Sequence, residues 1–451
     1  MNTLLAPTSR RRFLRQTTAT LATFSLVPGS VLGLRGQTPP SAKLNIACIG
    51  IGGQGGASVS GTSKENLVAF CDADWRRAGK ILEKYPGIKR YQDFRKMFDA
   101  MEKSIDAVTV ATPDHTHAVA AMAAIKRGKH VYCEKPLAHS IGEVRALMKA
   151  AREHKVVTQL GNQGHSSATI RDFCEWIWDG AIGNVHTVHG ACGSVYSRIA
   201  DLERVKEGQP VPEGLDWDLW LGPAQTRPYH PAYLPGVWRS WSAFGSGVIG
   251  DWVCHVVDPS FWALDLGAPK TIQAEAKDYD PKLHGETFPT GTVVTYEFPA
   301  KGKRGPVKLV WHDGREKMPR PADMEGEDKV PTTGAIVMGD KGTIIHGSHG
   351  AGSVRLIPDA KMDAYKQKLP PKTIPRVGGH HQDWLNAIKT GGKAGSNFDY
   401  GGPLTEIACL GIIATKMLGQ KLEWDAERMR FTNNSEADRY VSPAYRAGWS
   451  L

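Results

Sequence analysis

Three polar residues stand out for what their types and spacing allow. Lys135 follows the run Lys129-His-Val-Tyr-Cys-Glu134 and directly precedes Pro136. Asp251 and His255 are four residues apart, so on a helix they share one face. An ammonium group can donate a hydrogen bond to an oxygen that is gaining charge. An imidazole can take up a proton near neutral pH, and a carboxylate can orient the ring. Oxidation of a hydroxyl by hydride transfer needs those two functions, a base and a donor that steadies charge. Each residue also has a plainer reading. Lys135 would be a surface lysine, Asp251 the cap of a helix entered through Gly245-Ser-Gly247, and His255 a satisfied interior histidine. Asp258 is an alternative partner for the His255 ring, and Pro259 should kink or restart the helix. The spacing leaves both readings of the Asp251–His255 pair open. The place of Lys135, at the end of a strand and before proline, favours chemistry there, because open α/β sheets bind ligands at the carboxyl ends of their strands.

The elements that must position these groups are legible upstream. Lys43-Leu-Asn-Ile-Ala-Cys-Ile-Gly50 reads as a buried parallel strand. It runs into Gly50-Ile-Gly52-Gly53-Gln54-Gly55, a GxGxxG loop. In such a loop the first glycine permits the tight turn and the second lets backbone approach a pyrophosphate. The third lets the next helix pack close, with its amides toward phosphate. The motif alone is weak in a chain with 49 glycines. Its context agrees, because a second apolar run, Leu67-Val-Ala-Phe-Cys, ends at Asp72, 22 residues after Gly50. That carboxylate would accept hydrogen bonds from the adenosine ribose and repel a 2′-phosphate, which favours NAD over NADP. Arg76 and Arg77 leave NADP open.

Alternation continues with strands over 105–112, 129–133 and 156–160 and helices over 118–127 and 137–153. This predicts a doubly wound sheet with helices on both faces. Farther on, 184–196, 271–278, 291–298 and 306–312 have strand character. Gly339-Asp-Lys-Gly342 reads as a tight turn between strands, and Trp384–Lys389 and Leu404–Leu418 as helices. The stretch 197–245, rich in Pro, Trp and Gly, has little periodicity and reads as a functional loop or lid.

Composition narrows the class. Hydrophobic content of 41% and charged content of 23% are those of a globular chain. Five of the ten excess positive charges lie in residues 1–36, which hold no acid, and no basic block follows, so nucleic-acid binding is not expected. The seven cysteines include no CxxC pair and read as small buried hydrophobes; no metal site is expected. Ser9-Arg10-Arg11-Arg12-Phe13-Leu14-Arg15, followed by a weakly apolar stretch to Leu34, resembles a bacterial twin-arginine export signal. A periplasmic or secreted protein without stable membrane insertion is therefore expected.

Four segments together carry a family resemblance: the Gly50–Gly55 loop with Asp72, Ala111-Thr-Pro-Asp-His-Thr-His117, Glu134-Lys135-Pro136, and Asp251-Trp-Val-Cys-His255. In order and spacing they resemble the glucose–fructose oxidoreductase / inositol dehydrogenase / rhizopine-catabolism (Gfo/Idh/MocA) family. The stretches from Trp217 to Pro223 and from Trp262 to Pro269 are similar to an exported branch of it. The resemblance implies a Rossmann domain followed by an α+β domain with a large open, mostly antiparallel sheet. The expected organisation is a signal at 1–36, a linker at 37–42, the NAD domain at 43–162, the substrate domain at 163–435 and a tail at 436–451.

The resemblance also tips the Lys135–Asp251–His255 set toward catalysis on a sugar, glycoside or polyol. The cofactor contacts it implies are Gly50, Gly52, Gly53, Gln54, Gly55, Asp72, Thr112, Pro113, His117, Glu134, Lys135 and Asn162. The substrate contacts are His165, Tyr229, Trp238, Arg239, Asp251 and His255, with Gln163, Trp241 and His380-His381 as weaker candidates there and His115 as a weaker candidate for the cofactor. The expected activity is hydride transfer to tightly held NAD in a homo-oligomer acting on a small carbohydrate. Two rivals remain: a redox-neutral NAD-dependent glycosidase on the same scaffold, and a non-catalytic NAD-dependent binding protein.

Overall fold

The computed structural model describes residues 42–326 and 329–451. The twin-arginine-like segment therefore lies outside the described residues. Six short apolar strands, β1 (Asn45–Ile49), β2 (Asn66–Cys71), β3 (Lys89–Tyr91), β4 (Ala107–Val110), β5 (His130–Glu134) and β6 (Thr158–Gly161), form one sheet in the order β3-β2-β1-β4-β5-β6. All its pairings are parallel. The order reverses between β1 and β4, so a crevice opens at their carboxyl ends, where the glycine loop lies. The sheet is doubly wound, as the alternation predicts. The exposed edge strand β3 and the helices Gly79–Lys84 and Phe94–Met101 that flank it were not anticipated.

A second sheet of nine strands follows: β7 (Val185–Cys192), β8 (Thr271–Glu275), β9 (Gly291–Phe298), β10 (Val307–Gly314), β11 (Thr333–Gly339), β12 (Thr343–Gly347), β13 (Arg355–Ile357), β14 (Leu422–Asp425) and β15 (Arg430–Phe431). Their order is β13-β12-β11-β7-β10-β9-β8-β14-β15. Only β7 and β10 pair in parallel; the other neighbours are antiparallel. β9 alternates buried and half-buried residues over most of its length, which marks one face as covered. Gly339–Gly342 closes the β11–β12 turn, with Gly339 N–H donating to the Gly342 carbonyl at 2.9 Å.

One helix ties the two layers together. Phe398–Lys416 is buried along most of its length and packs on the Rossmann helix Ile141–Glu153, on Gly247–Val256 and on β8. A helix apolar all round belongs inside a protein. Small residues make the approach possible: a Cβ at Gly402 would stand 2.4 Å from Met148 Sδ, and one at Gly411 2.1 Å from the Tyr296 hydroxyl. Both halves of the later site rest on this helix. Leu137 N–H, in the turn after Lys135, donates to Thr405 Oγ1 at 3.2 Å.

Several boundaries depart from the sequence reading for local reasons. The helix expected over 137–153 starts at Ile141, because Ser140 and Glu143 form a reciprocal capping box. Asp251 does not begin its helix; Gly247–Val256 starts a turn earlier, so Asp251 sits mid-helix. Pro259 restarts the chain as a second helix, Asp258–Ala263. The region 197–245 is a folded excursion rather than a bare loop. It has its own aromatic core around Trp220, Tyr229, Tyr233, Trp241 and Phe244. It is laced to the Rossmann domain by Trp75 N–H to Gly214 O at 3.1 Å and by Asp216 N–H to Ala73 O at 2.9 Å. All seven cysteines are buried and unpaired.

Candidate active site

The glycine loop is built for close approach. Gly50 has φ +78°. A Cβ at Gly55 would lie 2.1 Å from the Gly50 carbonyl oxygen, so only glycine lets the helix Gly55–Thr62 start there. Asp72, at the end of β2, is fastened to the loop. Its carboxylate accepts from Ile51 N–H at 2.9 Å, Gly52 N–H at 3.3 Å and Asp74 N–H at 2.9 Å. Burial raises its pKa despite those bonds.

A cleft of about 1070 Å³ opens over this loop, lined by Gly50, Gly52, Gly53, Gln54, Asp72, Thr112 and Pro113 on the Rossmann side. The excursion supplies the opposite wall through Trp220, Leu234-Pro235-Gly236, Trp238 and Arg239. Trp449 from the C-terminal stretch closes one end, with the Arg95 guanidinium 4.4 Å over its ring. A second, more polar cleft of about 690 Å³ holds His117, Glu134, Lys135, Gln163, Asp251, Trp252, His255 and His349. The two share Gln54, Ala111 and Arg239, so they run into one another.

Lys135, Asp251 and His255 all reach this second cleft. The Lys135–Pro136 peptide is cis. Lys135 Nζ pairs with Asp251 Oδ1 and donates to the Asp251 carbonyl at 3.0 Å. Arg239 Nε lies 3.1 Å from the same Oδ1, and the Tyr196 hydroxyl donates to Oδ2 at 2.8 Å. Burial opposes the Asp251 charge, but Lys135 and Arg239 outweigh it and hold the carboxyl well below its usual range. Asp251 therefore does not orient His255. Neither does Asp258, whose carboxylate takes His165 Nδ1 at 3.1 Å, Asn162 Nδ2 at 3.0 Å and the Tyr400 hydroxyl at 2.5 Å. His255 Nδ1 is buried with no partner. Burial, then the charge of Lys135, keeps the His255 pKa well below the ordinary value, so the ring is neutral at pH 7.

Glu134 is buried beneath the cleft. Its Oε1 accepts from Gln54 Nε2 at 3.3 Å and Gln163 Nε2 at 2.9 Å, while Oε2 has no partner. Burial pushes this carboxyl up to about 7. His117 links the two strand-end turns: its Nδ1 lies 2.7 Å from the Pro136 carbonyl and its Nε2 2.8 Å from that of Thr112.

Other residues singled out by the sequence lie elsewhere. Asn162 and His165 line neither cleft. They brace Asp258 in the core, with His165 stacked on Trp262 at 4.4 Å. Tyr229 and Trp241 belong to the aromatic core of the excursion. His115 is not in a loop but in the first turn of the helix Asp114–Ile125, buried between the Trp220 and Phe244 carbonyls. His380 accounts for its ring with Leu160 O and Ser166 Oγ, and His381 stacks on Tyr132. Two groups at the site were missed. Tyr196 follows β7 in a stretch read as strand. His349 lies in Gly347-Ser-His-Gly-Ala-Gly-Ser353, a glycine-rich turn carrying one histidine, which is the kind of signal that marks a binding loop. Among the described residues no group of three or more His, Cys, Asp or Glu is arranged to hold a metal ion. No described helix is long and apolar enough to cross a membrane.

A parallel Rossmann sheet with a glycine-loop cleft, opening on a cluster in which Lys135 of that domain meets Asp251 and His255 of a second one, defines a two-domain dinucleotide-binding protein. Residues 44–162 match the family model described as oxidoreductase family, NAD-binding Rossmann fold, and residues 187–302 match the model of its C-terminal alpha/beta domain. The chain belongs to the Gfo/Idh/MocA oxidoreductase family. It is 28% identical over 219 residues to levoglucosan dehydrogenase of Pseudarthrobacter phenanthrenivorans, covering 48% of this chain and 46% of that protein. It is 35% identical over 169 residues to inositol 2-dehydrogenase of Rubrobacter xylanophilus, covering 36% and 46%. The matched stretches thus span just under half the length of these curated relatives. The fold is also similar to an inositol dehydrogenase homologue from Azotobacter vinelandii solved with NADH and myo-inositol, at TM-score 0.54 and 16% identity over 85% of this chain and 98% of that one.

Proposed function

We propose that the protein is an NAD-dependent oxidoreductase that oxidises a hydroxyl of a small sugar or polyol. The observation that carries this reading is the meeting of Lys135, Asp251 and His255 in a polar cleft continuous with the glycine-loop cleft. The residues present fit a dinucleotide. The loop has no room for a Cβ at Gly55, and the buried, unpartnered Glu134 Oε2 would take a donor from a bound ligand. Gly50–Gly55, Asp72, Thr112, Pro113 and Glu134 would hold it, and when bound it supplies the hydride acceptor. Asn162 lines neither cleft, its side chain being taken up by Asp258 and Ser396.

The protein's own groups account for the proton. Lys135 Nζ, steadied by Asp251, donates to the reacting hydroxyl oxygen and stabilises charge developing there. The neutral His255 ring accepts the hydroxyl proton. Arg239 and Tyr196 keep the Asp251 carboxylate facing Lys135. The names of the relatives, levoglucosan and inositol dehydrogenases, support a cyclic polyol or anhydro sugar as the substrate class. The test is a panel of polyols and glycosides given to the purified chain with NAD, alongside Lys135→Ala and His255→Ala. Each substitution should cost roughly 10²–10⁴-fold in turnover with NAD still bound. Full activity in either variant would refute the assignment.

We further propose export by a twin-arginine route with the cofactor already in place. Arg10-Arg11-Arg12-Phe13-Leu14 and the apolar stretch after it support this. A cofactor carried in that way has to be regenerated where it sits, by a second substrate, an electron-accepting partner or a reaction that returns its own hydride. Changing Arg10 and Arg11 to lysine should keep the protein in the cytoplasm on cell fractionation; unchanged export would refute the route.

A further inference from the structure

We propose that His349 is the positioning residue of His255, holding the base by ring stacking where other proteins use a carboxylate. The inference rests on the reading of His255 as the base. A histidine that moves protons ordinarily has its second nitrogen held by a carbonyl or carboxylate. His255 Nδ1 has no such partner, and both nearby aspartates are engaged elsewhere. Its ring is held by faces and edges instead. The His349 ring lies parallel to it, with centroids 4.0 Å apart and planes at 22°. Trp252 meets His255 edge-on at 6.0 Å and meets His349 at 5.7 Å and 90°, closing a three-ring cluster.

The loop that delivers His349 is held in a costly shape. It joins β12 to β13, and His349, Ala351 and Ser353 have φ of +54°, +60° and +54°. Side-chain-bearing residues seldom adopt this left-handed region, and such outliers persist only where their surroundings over-determine them. Here the surroundings do so. His349 N–H donates to the His255 carbonyl at 3.0 Å. The Gly350 carbonyl accepts from Ser167 Oγ at 3.0 Å and Thr169 Oγ1 at 2.6 Å. A Cβ on Gly164 would stand 2.2 Å from the His349 carbonyl carbon, so the loop is seated on the chain leaving β6. Ser348 Oγ lies 2.8 Å from His349 Nδ1 and sets the ring. Helix, loop and domain junction therefore converge on one ring pair, whose outer member is exposed and whose inner member is buried.

The test uses the full chain, loaded with NAD, turning over a polyol. His349→Asn removes the ring while keeping a residue that tolerates the left-handed backbone. His349→Gly removes the ring and relieves the strain, and serves if the Asn variant does not fold. His349→Phe keeps a stacking ring that cannot titrate. The Asn or Gly variant should lose kcat by on the order of 10²-fold, the cost of misplacing a reacting group by about 1 Å, with KM nearly unchanged. The Phe variant should recover most of that loss. Wild-type kcat in both ring-less variants overturns the proposal. So does a Phe variant as slow as Asn, which would make the imidazole a proton carrier or substrate contact. His255→Ala run beside them separates the two failures: if it keeps full turnover, the base itself is wrongly assigned.

Discussion

Asp251 shares a helix face with His255, yet its carboxylate pairs with Lys135 from the Rossmann domain. The pair ties the two domains together at the site, and Arg239 adds a second positive charge to the same oxygen. Asp251→Asn would leave Lys135 and Arg239 facing one another, both largely buried, without a compensating anion. Breaking such a pair costs about 3–5 kcal/mol. Urea unfolding should show a loss of that order together with lost turnover. A variant as stable as the parent would mean that the ion pair does not hold the domains.

The His255 environment makes a pH prediction. Burial and the neighbouring Lys135 and His349 depress its pKa, while Asp251 opposes them weakly. A base acts in its deprotonated form. A depressed pKa therefore moves the acid limb of kcat/KM below the ordinary histidine value of about 6.5, and activity should stay level as pH falls through that value. An acid limb centred near 6.5, abolished by removal of His255, would contradict this environment.

Gly55→Ala tests the glycine loop. The added methyl would meet the Gly50 carbonyl oxygen at 2.1 Å, and backbone cannot give way there cheaply. The purified variant should carry little or no dinucleotide by mass spectrometry and should unfold at lower temperature. Wild-type cofactor content would show that the loop tolerates displacement.

Arg77 bears on cofactor choice. No hydrogen bond or ion pair engages it among the described residues. Its Nη2 lies 3.7 Å from where a Cβ on Gly53 would stand, and its Nη1 3.7 Å from the same point on Gly236. The guanidinium thus bridges the glycine loop and the opposite wall, where phosphates of either cofactor would pass. Arg77→Ala should weaken NAD and NADP binding by similar factors in calorimetry. A loss confined to NADP would place Arg77 at the 2′-phosphate instead.

What the sequence revealed and what it hid follow from range. The Gly50–Gly55 loop, Asp72, Lys135 and the Asp251–His255 pair were legible because each depends on spacing within a strand–turn–helix unit. The same short range misled for Asn162 and His165. Polar residues after β6 look like ligand contacts, but their partner, Asp258, lies more than ninety residues away in the core. Tyr196 was invisible for that reason too, and the glycine-rich turn around His349 marks a loop without showing which site it joins. Both reach the site only because β7 and β12 sit on either side of β11 in the second sheet. Helix starts were misjudged at Ile141, where the Ser140–Glu143 capping box decides the start, and at Gly247, a turn before Asp251.

The most direct test of the account follows the hydride itself. The full chain loaded with NAD is mixed with a polyol carrying deuterium on its carbinol carbons, and the bound nicotinamide is recovered for mass analysis. The account predicts deuterium on the nicotinamide after one turnover, and none in Lys135→Ala although NAD is still bound. NAD that stays bound and unlabelled across a broad panel of polyols and glycosides would contradict it, and would leave a protein that binds the cofactor without using it.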